Sequence, residues 1–154
     1  MHDDLIDTWH RHQRINLYLL DGIVDEGHLQ VRAKPRSRTI GTQFAHLHNV
    51  RLMWLQAAGH PGWDELHKAG PDEAISRQAL RQALTTSGEA IAGLLDHGLR
   101  TGRIKGFKPH PAAFLGYLIS HESHHRGQII LQLKQAGHPL PEDIRYGIWD
   151  WGRR

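Results

Sequence analysis

The chain has 154 residues, with 19 Lys and Arg against 16 Asp and Glu, and it contains 14 histidines but no cysteine. This length suits one domain, and we expect residues 1–154 to form a single one. Without cysteine there are no disulfides, thiolate ligands or cysteine nucleophiles, and a net charge of +3 is too small to indicate a dedicated nucleic-acid-binding protein. The N-terminus is acidic and no apolar run reaches the ~18 residues of a membrane span, so we expect a cytoplasmic protein.

Apolar residues recur at three- and four-residue steps in four long segments, which predicts four helices. The predicted helices span residues 4–25, 39–58, 71–97 and 110–136, and Thr39 is a suitable N-cap for the second. Glycine follows the last three, at Gly59, Gly98 and Gly137. Strand signals are nearly absent, the best being the short segment 103–107. The sequence therefore predicts an all-α four-helix bundle with long loops, a solvated basic loop at 31–38, and a short C-terminal tail, 141–154, that packs across the bundle.

Two histidines of the fourth segment have the spacing of metal ligands. His121 and His125 lie one helical turn apart, about 40° around the axis, on a face that also carries Phe114 and Leu118. Two imidazoles stacked in this way can bind one metal ion from a single helix. His124 points about 60° to the other side of His121 and is a weaker candidate.

A bundle site needs a further ligand from a facing helix, and the second segment offers His46 and His48. His46 lies at the edge of the apolar arc and is the better inward candidate, whereas His48 is expected to be partly exposed. The remaining histidines lie at ends, in loops or without a paired neighbour, and we expect them at the surface: His2, His10, His12, His28, His60, His67, His97, His110 and His138.

The letters His121-Glu122-x-x-His125 also match the zincin pattern, in which the glutamate is the general base of a metallopeptidase. The surroundings argue against a zincin. No third histidine follows at the required spacing, and the only later glutamate, Glu142, lies in the tail.

Two segments resemble the DinB/YfiT-like family of metal-binding four-helix bundles. Residues 39–47, with Met53-Trp54-Leu55 after them, are similar to the histidine motif of the family's second helix, and residues 121–129 are similar to its H-x-x-x-H-R-G-Q signature. The tail from 137 to 144 is similar to the family's ending. The resemblance implies a metal bound by His46, His121 and His125, an up-and-down bundle with a long second connection, and frequently a homodimer. Arg51 departs from the pattern, since many relatives carry an acidic residue there.

Three neutral imidazoles leave open positions on a metal ion, which is typical of a catalytic site, and they suit zinc or nickel. Such an ion can activate water or a thiol, and family relatives include transferases that attach low-molecular-weight thiols to electrophiles. The leading hypothesis is a metal-dependent thiol S-transferase or hydrolase acting on a small molecule, and the alternative is a non-catalytic metal-binding or stress-response module.

The catalytic residues are not evident from the sequence, and the two candidates are Glu122 and Gln128. We expect Glu122 to pair with Arg126, four residues later, rather than to take part in catalysis. Gln128 and Gln132 continue the stripe of His121 and His125 and could orient the ligands. Gly127 is expected to allow close helix packing.

Overall fold

The computed structural model describes all 154 residues, which form five α-helices and no β-strand. The helices are α1 (His2–Gly22), α2 (Ile40–Ala58), α3 (Arg77–Thr101), α4 (Pro111–Gln135) and the short α5 (Glu142–Gly147). The prediction of an all-α four-helix bundle is confirmed. None of the helices combines the length and the apolar character that crossing a membrane requires.

Capping side chains and glycines explain where the helices begin and end. Thr39 accepts a hydrogen bond from the Thr42 N–H at 3.1 Å, as predicted for an N-cap, and α2 ends at Gly59 with a φ of 67°. The third helix differs from the prediction at both ends. Ser76 caps its start, which leaves residues 73–75 as a separate 3₁₀ turn. The helix then continues as far as its C-cap, Gly102, whose φ is 77°.

Gly98, the predicted end of the third helix, lies inside it for a steric reason. A Cβ at this position would come within 2.6 Å of Ile104 Cγ1, so the glycine allows the segment after the helix to pack against it. That segment, 103–107, forms only an isolated bridge between Ile104 and Phe107.

Each of α3 and α4 packs against both α1 and α2. Trp9 of α1 lies in one apolar cluster with Phe114 of α4, and Leu20 lies in the other with Leu133, so these two helices run in the same direction. Leu47 and Leu84 share one cluster and Leu55 and Leu95 the other, so α2 and α3 also run in the same direction, which the long connection 59–76 allows. The long second connection that the resemblance implied is therefore present, and it makes the order up-down-down-up rather than simply up-and-down.

The core consists of two apolar clusters separated by a buried polar layer. Leu47 and Ile129 belong to one cluster, and Trp9, Leu55 and Leu118 to the other. Buried polar side chains lie between the two clusters on each of the four long helices. We define the polar layer as the following five residues, all at most 8 % exposed: His12, Asn16, Arg51, Glu122 and Arg126.

The C-terminal tail packs along α1. The Tyr18 hydroxyl donates to the Asp143 carbonyl at 3.2 Å, and Arg11 donates to the carbonyl of Trp151. The guanidinium of Arg154 lies 3.6 Å above the Tyr18 ring. The tail thus covers one side of the bundle, next to the outer face of α4.

Candidate metal centre

His46 from α2 and His121 and His125 from α4 meet at one side of the bundle. One ring nitrogen from each lies within 4.8 Å of the other two, and the ring centroids are 4.7 to 5.3 Å apart. Since α2 and α4 are antiparallel neighbours, one residue of α2 can face both members of the α4 pair. The structure thus brings together the three histidines that the sequence analysis selected.

The hydrogen bonds of the rings leave nitrogens free for a metal ion. His125 Nδ1 lies 3.0 Å from Gln128 Oε1, and because a side-chain carbonyl only accepts, His125 must donate through Nδ1. This leaves Nε2 of His125 as the ligand atom. His121 Nδ1 is buried without a partner, which is a costly state for a ring nitrogen. A metal ion fits this donor set of three imidazoles, with fewer protein ligands than a closed structural site has.

All three histidines are electrically neutral near pH 7. Burial lowers the pKa of His46 to about 4, helped by the positive charge of Arg38, and it lowers the pKa of His125 to about 4, helped by the neighbouring His46 and His121. Burial lowers the pKa of His121 as well. Neutral imidazole is the form that binds metals, so no proton competes for the site at neutral pH.

Two other histidines of these helices lie outside the group of three. His124, the weaker candidate of α4, is exposed. The prediction that His48 is partly exposed was wrong, because the connection 59–76 covers that face of α2. His48 is only 3 % exposed, and its Nε2 lies 2.9 Å from the His67 carbonyl oxygen.

Glu122 pairs with Arg51 and not with Arg126, the partner predicted from the sequence. Arg51 donates from Nε to Oε1 at 2.7 Å and from Nη2 to Oε2 at 2.8 Å, which is a two-pronged ion pair. Glu122 is 1 % exposed and Arg51 is completely buried. Burial alone would raise the pKa of Glu122, but the charge and hydrogen bonds of Arg51 hold it well below its usual range. Glu122 is therefore a buried carboxylate that anchors α4 to α2.

His12 was expected at the surface, and this prediction was also wrong. The side chain is completely buried, with Nε2 2.8 Å from Glu122 Oε2 and Nδ1 3.3 Å from Arg126 Nη1. Since arginine can only donate, Nδ1 accepts and the Nε2–H group donates to Glu122. Asn16 completes the layer by donating to Glu122 at 2.6 Å and accepting from Arg126 at 2.7 Å.

This geometry removes the general base that a zincin mechanism requires. The Glu122 carboxylate is directed into the polar layer, with both oxygens hydrogen-bonded, while His121 and His125 face α2. Glu142 lies in α5, and its side chain is exposed. Of the two catalytic candidates, Glu122 is thus withdrawn from the site, whereas Gln128 contacts His125 of the group of three. Gln132, the other predicted orienting residue, binds Gln43 at 2.6 Å instead.

The metal-free protein is expected to lose stability as the pH falls below 6.5. Burial lowers the pKa of His12 from its ordinary 6.5, so below that pH the unfolded chain binds more protons than the folded one and is favoured. Above pH 6.5 the contribution of His12 is complete. Glu122 acts in the same direction below its ordinary pKa of 4.5, because the folded state keeps it ionised. Urea unfolding of EDTA-treated protein at about pH 7.5 and about pH 5 measures the difference.

A pair of variants isolates the part due to His12. His12→Gln should reduce the difference between the two pH values, whereas His97→Gln, at an exposed position of α3, should leave it as it is. Equal free energies of unfolding at both pH values in the unaltered chain would contradict the prediction.

Comparisons with known proteins agree with the fold. The model of the DinB family matches residues 1–148. A crystal structure of a DinB-like protein from Bacillus cereus ATCC 10987 is similar, with a TM-score of 0.65 and 23 % identity over 90 % of this chain and 95 % of that one. A DinB-like protein from Bacillus subtilis has a TM-score of 0.62 and 17 % identity over 90 % and 96 %. Among curated proteins there is no match.

Proposed function

Because the chain belongs to the DinB family, we propose that it binds zinc or nickel through His46, His121 and His125 and uses the ion to act on a small molecule, by thiol S-transfer or hydrolysis. The observation that carries this proposal is the group of three neutral imidazoles, which leaves room for substrate in the coordination of an ion. The chemistry that such an ion supplies when bound is a lowered pKa of a coordinated water or thiol. Since the chain has no cysteine, any thiol must come from a substrate.

A cavity beside His46, the one histidine of the group of three that lines it, supports a small-molecule substrate. It has a volume of about 230 Å³, and its lining includes His46, Thr42 and Asn49 from α2 and Arg38 from the preceding loop. The Thr42 hydroxyl and the Asn49 amide already bond to the backbone of Thr39 and Ala69, so the group that can select a substrate is Arg38, which can attract a negatively charged one. Gln128 holds His125 in the orientation in which Nε2 is free.

A thiol-transfer assay on metal-loaded protein tests the proposal. The protein is purified without chelating resins, loaded with zinc or nickel, checked by elemental analysis, and mixed with 1-chloro-2,4-dinitrobenzene and each of several cellular thiols. We expect one metal ion per chain and thiol S-arylation, in which the thiolate sulfur displaces chloride and the thiol proton is released, and this reaction should stop when EDTA removes the metal. No bound metal after loading would overturn the whole proposal. Bound metal without turnover with any thiol would favour the non-catalytic metal-binding module.

Arg38 is expected to select for thiols that carry an acidic group. Its side chain lines the cavity next to His46, and its positive charge lowers the pKa of both His46 and His121. In metal-loaded protein, Arg38→Gln should weaken the binding of 3-mercaptopropionate roughly two- to fivefold, the usual value of an exposed ion pair, and leave the binding of 2-mercaptoethanol unchanged. Isothermal titration calorimetry measures both affinities.

Arg36→Gln is the matched control, because Arg36 is an exposed arginine of the same loop that does not line the cavity. It should leave both affinities unchanged. An equal loss for the charged and the neutral thiol in Arg38→Gln would show that Arg38 does not read the carboxylate.

A further inference from the structure

A second cavity lies on the opposite side of α4 from the three histidines. Ile119, Arg126, Gly127 and Ile130 contribute its helical wall, and Trp149 and Trp151 contribute the wall formed by the tail. At 100° per residue, position 126 lies about 140° and position 130 about 180° around the helix from His121. The cavity has a volume of about 380 Å³, larger than the one beside His46. It is thus separate from the candidate metal centre.

Arg126 is the one ionisable side chain that lines this cavity, and no carboxylate contacts it. Its guanidinium donates to Asn16 Oδ1 at 2.7 Å, to Ser123 Oγ at 2.8 Å and to His12 Nδ1 at 3.3 Å, which accounts for three of its five N–H groups. The only carboxylate of the polar layer, on Glu122, is bound by Arg51. The layer therefore contains two guanidinium charges and one carboxylate.

Because of this excess positive charge, an anion bound at Arg126 would stabilise the polar layer. The side chain is only 8 % exposed, and although burial lowers the pKa of Arg126 to about 10, the group remains charged at neutral pH. An uncompensated buried charge is costly, and a negatively charged partner would reduce that cost. Such a partner can reach the guanidinium from the cavity.

Apart from the Ser123 hydroxyl, which accepts from Arg126, the rest of the cavity is apolar and open. Isoleucines of α4 and the indoles of the tail surround it, and Trp149 is 74 % exposed. Gly127 was predicted to allow close helix packing, and this prediction was wrong. A Cβ at this position would have no neighbour within 4 Å. The absence of a side chain at this position contributes to the space.

We propose that this cavity binds a small amphipathic carboxylate, with the carboxylate against the free N–H groups of Arg126 and an aromatic or branched apolar group between the α4 isoleucines and the indoles of Trp149 and Trp151. The two unpaired N–H groups of Arg126 offer the donors that a carboxylate accepts. The apolar walls exclude a strongly hydrated anion such as free phosphate as the preferred ligand.

Isothermal titration calorimetry with 1-naphthoate and its neutral counterpart 1-naphthalenemethanol tests the proposal on the full chain. We expect naphthoate to bind roughly tenfold or more tightly than the alcohol, the usual contribution of a hydrogen bond to a charged group. The affinity should be the same for metal-free and zinc-loaded protein. A preference that depends on zinc would instead place the carboxylate at the three histidines and overturn the proposal.

Two glycines of α4 offer a matched pair of variants. Gly127→Leu fills the cavity and should weaken naphthoate binding about tenfold or more, whereas Gly116→Leu, at an equally unobstructed position outside the cavity, should not change it. Arg126→Gln should bind naphthoate and the alcohol with the same affinity. Cooperative unfolding of this variant shows that it is still folded. If Gly127→Leu keeps full affinity, the proposal is wrong. It is also wrong if naphthoate does not bind. Should Gly127→Leu in that case convert a dimer to a monomer, the cavity is an interface between two copies of the chain.

Discussion

His121→Ala is expected to lose stoichiometric zinc or nickel. The variant removes one of the three imidazoles whose nitrogens lie within 4.8 Å of one another, and no other histidine, aspartate or glutamate lies in the group to replace it. Loss of a residue that merely orients a ligand costs 10–100-fold in metal affinity, so loss of the ligand itself should cost more than about a hundredfold. Elemental analysis after loading, together with calorimetric titration of zinc, measures the loss.

His124→Ala is the matched control for this result. His124 is an exposed histidine of the same helix, three residues from His121, and it does not belong to the group of three. This variant should bind metal as the unaltered chain does. Equal metal content in His121→Ala and the unaltered chain would exclude the proposed ligand set, and an equal loss in both variants would indicate a different one.

The second large effect concerns stability. Glu122→Ala should lower the free energy of unfolding by about 3–5 kcal/mol, because it leaves the fully buried guanidinium of Arg51 without its carboxylate. His12 and Asn16 lose their acceptor at the same time. Urea unfolding of metal-free protein followed by circular dichroism measures the change without any contribution from bound metal.

Two further variants distinguish this explanation from a general effect of removing a glutamate. Glu142→Ala, at an exposed position of α5, should change the free energy of unfolding by less than about 0.5 kcal/mol. Combining Glu122→Leu with Arg51→Met should recover part of the loss, since a buried ion pair can often be replaced by apolar side chains of similar size. A loss below about 1 kcal/mol in Glu122→Ala would show that the pair contributes little.

The four long helices could be predicted because the spacing of apolar residues agrees with the positions of capping residues and glycines along most of the chain. Thr39 and Gly59 delimit α2 as expected. The ends of α3 could not be predicted in the same way, because glycine has two uses. Gly98 serves close packing inside the helix, while Gly102 takes the positive φ that ends it, and the sequence alone does not distinguish these uses.

The pair His121 and His125 could be predicted because its spacing is local, and His46 because of its place at the edge of the apolar arc of α2 and the family resemblance, whereas the polar layer depends on contacts between distant segments. Arg51 meets Glu122 across 71 positions of sequence. A signal was nevertheless present. His12 and Asn16 share a helical face with Trp9 and Leu19, and Arg51 lies one turn from both Leu47 and Leu55. Polar residues at such apolar positions indicate a buried network. This signal is lost when His12 is grouped with the histidines at chain ends and in loops.

The buried polar layer also determines the register in which the helices meet. Two apolar clusters alone tolerate sliding, because one leucine can replace another at a contact. A shift of α4 by one turn, about 5.4 Å, would separate Glu122 from Arg51 and at the same time carry His121 and His125 past His46. The ion pair thus excludes the alignments in which the three imidazoles could not share an ion. Metal affinity should therefore depend on Glu122 and Arg51, although neither belongs to the group of three histidines.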